Sequence, residues 1–160
     1  MRTSHVLVLV LIAVATAAFI RADTTASETT NETPAMTIAM TSVYVDDPIR
    51  AFEFYTEVLG FQELQFVPEA HLAVVISPEQ PNGAALLLEP NQHPIATRYQ
   101  KEVYEAGFPV IVFGTTDIQA EYTRLTERGV VFRGEPQETP YGTHADFEDT
   151  FGNLIRLIQR

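Results

Sequence analysis

Any chemistry in this 160-residue chain must come from four histidines, 21 Asp and Glu side chains and six tyrosines. There is no cysteine, which excludes disulfides, thiolate catalysis, iron–sulfur clusters and cysteine-based zinc sites together. His144, Asp146 and Glu148 alternate along the chain, so in a strand they share one face and could gather around a metal ion. The competing reading makes that face the solvated side of a half-buried strand, opposite Ala145 and Phe147. His71 and His93 fall near loop or strand ends and are expected to face solvent, while His5 lies in an apolar leader. Tyr55 belongs to the apolar stripe of a helix, in Phe52-Glu-Phe-Tyr55, which makes it a core aromatic rather than a catalytic acid.

The charge balance narrows the partners. Asp and Glu outnumber Lys and Arg by 21 to 10, for a net charge of −11, and Lys101 is the single lysine. Such a chain is repelled by phosphate backbones, so no nucleic-acid binding is expected. Hydrophobic residues make up 46% and charged residues 19%, a composition that fits a packed core and argues against disorder.

The first 22 residues read as a leader. Val6–Ile20 is a 15-residue apolar run interrupted only by Thr16, behind Arg2. It is shorter than the about 20 residues that span a bilayer and fits a secretory signal. Small residues put cleavage after Ala18 or Ala22, which predicts an extracytoplasmic protein, secreted or periplasmic. The alternative is an uncleaved anchor, the one case in which the chain would touch a membrane. Residues 23–35 are rich in Thr, Glu and Ala with no large apolar residue and read as a flexible tether. Residues 36–160 form the domain, and Met36 or Met40 is a competing start for a cytosolic form.

The elements that would position a site recur. Thr37–Val45 predicts a strand with Ile38, Met40, Ser42 and Tyr44 on one face. Asp47-Pro48 starts a helix whose stripe is Ala51, Phe52, Tyr55, Val58 and Leu59, and Gly60 ends it. Strands follow at Phe61–Phe66, Leu72–Ile76 and Ala84–Leu88, then a helical stretch near Thr97–Ala106. The order then repeats. Val110–Thr115 reads as a strand, and Thr116-x-x-Gln119 as a capping box before a helix with Ile118, Tyr122 and Leu125 buried. Gly129 stops that helix, and strands are expected at Val130–Phe132, Tyr141–Phe147 and Leu154–Ile158. Met40 to Val110 and Asp47 to Asp117 are each offset by 70, and Gly60 to Gly129 by 69. The predicted fold class is therefore α+β, two tandem βαβββ units.

Val45-Asp-Asp-Pro-x-x-Ala51-Phe-x-Phe-Tyr55-x-x-Val-Leu-Gly-Phe61 resembles the opening of the vicinal oxygen chelate superfamily, which includes glyoxalase I, bleomycin-resistance proteins and extradiol dioxygenases. Pro140-Tyr-Gly142 and Asp149-Thr-Phe-Gly-Asn153 agree with its second unit, although Thr150 stands where the motif usually has proline. The resemblance spans about Ile38–Gln159 and implies a curved mixed sheet around a cavity. It also implies a homodimer.

In the metal-dependent members a divalent ion is held from the first and last strands of each unit. Carried onto this chain, those positions are Met40, Leu87, Val110 and Arg156. None suits a metal that must keep positions open for an oxygen substrate, and the guanidinium repels the cation. Two functions stay open. The first is a metal-free, cofactor-free binding protein for a small organic molecule, enclosed by Met40, Leu87 and Val110. Ser42, Tyr44, Leu87, Glu89 and Arg156 are its candidate ligand-binding residues, with no catalytic residue assigned. There Arg156 either clamps an anionic group of the ligand or is neutralised by Glu89 or by solvent at the rim. The alternative is a metal-dependent glyoxalase- or dioxygenase-type lyase or oxygenase, with one divalent ion on non-standard ligands drawn from His71, Glu89, His93, His144, Asp146 and Glu148.

Overall fold

Asp47 and Pro48 begin the first helix as their chemistry dictates. The Asp47 carboxylate accepts from the backbone N–H groups of Ile49 and Arg50, both at 3.1 Å, and Pro48 takes the first helical position. In the computed structural model, which describes residues 36–159, this helix, α1 (Pro48–Glu53), follows strand β1 (Met40–Val45). It then widens into a π-helical turn over Phe54–Val58, closed by Leu59 N–H donating to the Phe54 carbonyl at 3.1 Å. Gly60, at φ +91°, releases the chain into β2 (Gln62–Val67), β3 (Leu72–Ile76) and β4 (Ala85–Pro90). The second half runs β5 (Ile111–Thr115), α3 (Ile118–Glu127), β6 (Gln137–Thr139), β7 (Gly142–Glu148) and β8 (Leu154–Gln159). Between the halves lies α2 (Pro94–Glu105). The leader and tether expected in residues 1–35 lie outside the described residues.

Each half forms a four-stranded mixed sheet, ordered β1-β4-β3-β2 and β5-β8-β7-β6. The duplication shows in the register. The parallel pair β1/β4 sets Ser42 opposite Leu87, and the parallel pair β5/β8 sets Val112 opposite Arg156, 70 and 69 residues further on. One face of each sheet is covered by its own helix, α1 on β3 and β4, α3 on β7 and β8. A single core continues through both halves, from Val43, Val45 and Leu88 to Ile118, Leu125, Phe147 and Ile155. Phe52 stacks on Phe66 at 4.0 Å between ring centroids, and Tyr122 packs on Phe132 at 4.7 Å.

Four local expectations need correction. The cap of α3 is Asp117, whose carboxylate accepts from Ala120 N–H at 2.9 Å, and not Thr116 with Gln119. Thr115 in turn supports Asp117 by accepting its N–H at 3.2 Å. No strand forms over Val130–Phe132: Val130 turns into the core after Gly129, and only Phe132 bridges to Phe147. The polar strand β6 carries no alternation of apolar residues and is absent from the sequence reading. α2 starts earlier than expected because Pro94 opens it and the His93 ring accepts from Ile95 N–H.

The halves are joined by polar contacts as well as by the core. Arg124 of α3 donates to the carbonyls of Val58 (2.9 Å) and Leu59 (3.2 Å), and Arg128 donates to that of Glu57. These carbonyls end the first helical segment, so guanidinium groups of the second half cap it.

Candidate functional site

The face of each sheet turned away from α1 and α3 carries the residues singled out by alternation. β1 and β4 place Met40, Ser42, Tyr44, Leu87 and Glu89 on one side, and β5, β7 and β8 place Val112, His144, Asp146 and Arg156 on the other. A cavity of about 410 Å³ opens beside β1, lined by Ser42, Tyr44, Ile95, Tyr99, Val110 and the amides of Gln100 and Asn153. Tyr99 meets Tyr44 edge to face, with centroids 6.3 Å apart and planes at 74°. Two of the five candidate ligand residues, Ser42 and Tyr44, thus line this cavity. Leu87 packs against Val74, Ile76 and Ala85, and Glu89 stands opposite Tyr44 in the register. Leu87, Glu89 and Arg156 share the same sheet faces without lining this cavity.

Arg156 has a committed partner, and it is not Glu89. Its Nε and Nη2 donate to Asp146 Oδ1 and Oδ2 at 2.7 and 2.8 Å, a bidentate pair between directly opposed strand residues. The Asp146 carboxylate holds the guanidinium in its charged form, above its already high pKa.

Tyr99, Gln100 and Asn153 were not signalled by the sequence as cavity residues. Gln100 sits in a polar helix yet is 5% exposed. Its Nε2 donates to the carbonyls of Tyr44 (2.6 Å) and Phe151 (2.9 Å), and its Oε1 accepts from Asn91 at 2.6 Å. Asn153 Nδ2 donates to the same Tyr44 carbonyl at 2.7 Å. These amides hold the end of β1 against the 149–153 turn and fix the polar end of the cavity.

Asp149 anchors that turn. Its Oδ1 accepts from Phe151 and Asn153 N–H, both at 2.9 Å, and its Oδ2 from Asn153 Nδ2 (2.7 Å) and Tyr55 OH (3.1 Å). Tyr55 is fully buried in the core, as its place in the helix stripe predicts. Burial, with the Asp149 carboxylate beside it, pushes the Tyr55 phenol well above its ordinary pKa. Burial also raises the Asp149 carboxyl, against the downward pull of its four hydrogen bonds. A group held high in the fold stabilises it below the ordinary pKa and loses that contribution as pH rises through the raised value. Tyr55→Phe should therefore cost about 1–2 kcal/mol near neutrality, from the lost hydrogen bond. That gap should narrow above the ordinary tyrosine range, where wild type alone is penalised for keeping a phenol protonated. Denaturant melts at neutral and alkaline pH measure the gap; a constant gap would remove Tyr55 as the titrating group.

The donor set does not fit the metal centre that the resemblance implies. Met40 offers a soft thioether, Leu87 and Val110 offer hydrocarbon, and Arg156 offers a cation already paired with Asp146. The alternating trio does not replace it. Asp146 is bound to Arg156 and Glu148 lies 3.3 Å from Arg133, while Ala145 and Phe147 point into the core. His71 is exposed at φ +51°, and His93 is engaged as the α2 cap. Among the described residues no three His, Asp or Glu side chains group to hold a metal ion.

Comparison with known proteins gives a consistent answer. A family model described as the Glyoxalase/Bleomycin resistance protein/Dioxygenase superfamily matches residues 37–157. The "uncharacterized protein YurT" of Bacillus subtilis (strain 168) is 46% identical over 127 residues, covering 78% of this chain and all of YurT. The crystal structure of UcmS2 superposes with a TM-score of 0.64 at 26% identity, over 79% of this chain and 98% of UcmS2. TnmS3, described as an antibiotic binding protein from Streptomyces sp. CB03234, superposes with a TM-score of 0.60 at 29% identity, over the same shares.

Proposed function

Because the chain belongs to the Glyoxalase/Bleomycin resistance protein/Dioxygenase superfamily, we propose that it binds a small organic molecule without a metal. The observation that carries this reading is the donor set: the four positions where the superfamily places metal ligands hold Met40, Leu87, Val110 and Arg156. The likeness to TnmS3, an antibiotic binding protein, supports the same class of activity. The ligand enters beside β1, where Ser42 and Tyr44 with Tyr99 offer hydroxyls and aromatic surface. A cavity of about 410 Å³ accommodates a drug-sized molecule. Where the ligand extends past the cavity onto the adjoining face, Arg156, held rigid by Asp146, donates from its remaining Nη1 edge to a ligand acceptor, Glu89 accepts from a ligand donor and Leu87 adds apolar surface. Met40 and Val112 are 48% and 51% exposed on these faces, and a second copy of the chain covers them in a homodimer. Residues 1–22 direct the protein out of the cytoplasm.

Elemental analysis of the purified chain, before and after dialysis against chelator, tests this reading together with a thermal-shift ligand screen. The expected result is no stoichiometric metal, a melting curve indifferent to chelator, and a raised midpoint with at least one organic ligand. One tightly held transition ion per chain would overturn it. For a ligand so found, Arg156→Ala is expected to weaken binding by about tenfold, the scale of a charge-assisted hydrogen bond; unchanged affinity in a folded variant removes Arg156 from the site.

A further inference from the structure

On the side of the sheets that carries α1 and α3, the two halves do not close completely. Two adjoining cavities of about 360 and 280 Å³ share Phe61, Ser77, Glu79, Phe113, Gly114 and Thr115, and together form one cleft. One wall is the segment just after β3 with the start of β2, and the other is β5 with α3. The cleft is separate from the cavity at Tyr44, with which it shares no lining residue.

Its floor is aromatic. The rings of Phe61 and Phe113 lie 5.0 Å apart at 56°, with Val75 and Leu86 at one end and Leu125 and Phe147 at the other. Gly114 leaves the β5 backbone bare there, which lets a ligand approach the strand closely. Ser77 and Thr115 bring hydroxyls to the same space.

The charges at the cleft select the ligand. Arg124 lines it, but each nitrogen of that guanidinium is engaged: Nε and Nη2 with Glu121, and Nη1 and Nη2 with the carbonyls of Val58 and Leu59. Glu121 is neutralised by the same pair. Glu79 is exposed and has no ion-pair partner among the described residues, so it is the uncompensated charge at the mouth. An anion would meet Glu79 and a chain of net charge −11 and find no free cation. An organic cation would meet Glu79 at its head and aromatic faces along its body. We infer that this cleft is a second small-molecule site, taking an amphipathic amine with an aromatic or branched body.

Three probes of nearly one skeleton test it: phenethylamine, 2-phenylethanol and 3-phenylpropionate, titrated into the isotope-labelled full chain and followed by amide chemical shifts. Shifts are expected at Ser77, Gly114 and Thr115. The amine should bind about threefold to tenfold more tightly than the alcohol, as an exposed ion pair with a cation–π contribution allows, and the carboxylate most weakly. Glu79→Gln, on an exposed side chain, should bring the amine down to the alcohol and leave the alcohol unchanged. Equal affinities, an amine preference that survives Glu79→Gln, shifts confined to Ser42, Tyr99 and Val110, or no shift at millimolar probe would each overturn the inference. The reporting amides are not those of the Tyr44 cavity, so failure of the function proposed above would register separately.

Discussion

Asp149→Ala is expected to lower the stability of the chain by about 3–4 kcal/mol, the largest loss among single polar substitutions here. Four donors converge on this carboxylate, and two of them, Tyr55 OH and Asn153 Nδ2, come from buried side chains. Alanine leaves both donors without this acceptor, and Tyr55 is completely buried. For a domain of this size the loss amounts to a fall of about 10 °C in melting midpoint. Asp149→Asn should cost less. It keeps one oxygen for the Phe151 and Asn153 N–H groups and removes a carboxylate whose charged form burial disfavours. Calorimetry of both variants measures the difference, and equal midpoints for Ala and wild type would show that the network does not hold the turn.

The second large effect belongs to Gly152. Its φ is +98°, and a β-carbon placed there would lie 2.8 Å from Gln100 Nε2 and 2.9 Å from its Cδ. Gln100 cannot move away without breaking its bonds to the Tyr44 and Phe151 carbonyls and to Asn91. Gly152→Ala is therefore expected to cost about 2–4 kcal/mol, combining left-handed backbone strain with overpacking of a buried amide. If the proposed function holds, the same substitution should also weaken binding at the Tyr44 cavity, because Gln100 forms part of its lining. Paired melting and binding measurements check both. A variant that melts like wild type would mean that the turn has room to relax.

The first helix and every strand but β6 were legible in the sequence because their signals are local. Val43 and Val45 alternate with Ser42 and Tyr44, and Asp47-Pro48 carries its own capping chemistry. The α3 cap was misplaced because Thr115, Thr116 and Asp117 are all capping residues in succession. The offset of 70 from the Asp47 cap singles out Asp117, and the structure agrees. The π-helical turn at Phe54–Val58 was invisible, since its apolar spacing also satisfies an ordinary helix. Of the site, the faces of Ser42 and Tyr44 followed from alternation, whereas the partner of Arg156 needed the β7/β8 register, which sets Asp146 directly opposite. Gln100 left no trace, because a glutamine between Tyr99 and Lys101 looks like any solvated helix position. Its burial is decided by residues 44 and 151, which fold back onto it from far along the chain.

The ties between the halves also set the order in which the chain can complete itself. Each sheet ladder closes within its own half, but Tyr55 waits for Asp149, 94 residues later, and the Tyr44 carbonyl gains its second donor, Asn153, only 109 residues later. The carbonyls that end the first helical segment wait for Arg124 and Arg128. Contacts of such long separation close late and slow the folding transition. A nascent chain therefore carries an unfinished first half, with the Tyr55 phenol still hydrated, until residues 149–153 are made. A chain kept open in this way cannot seal its core for as long as those partners are missing, so the second half acts as the lock on the first.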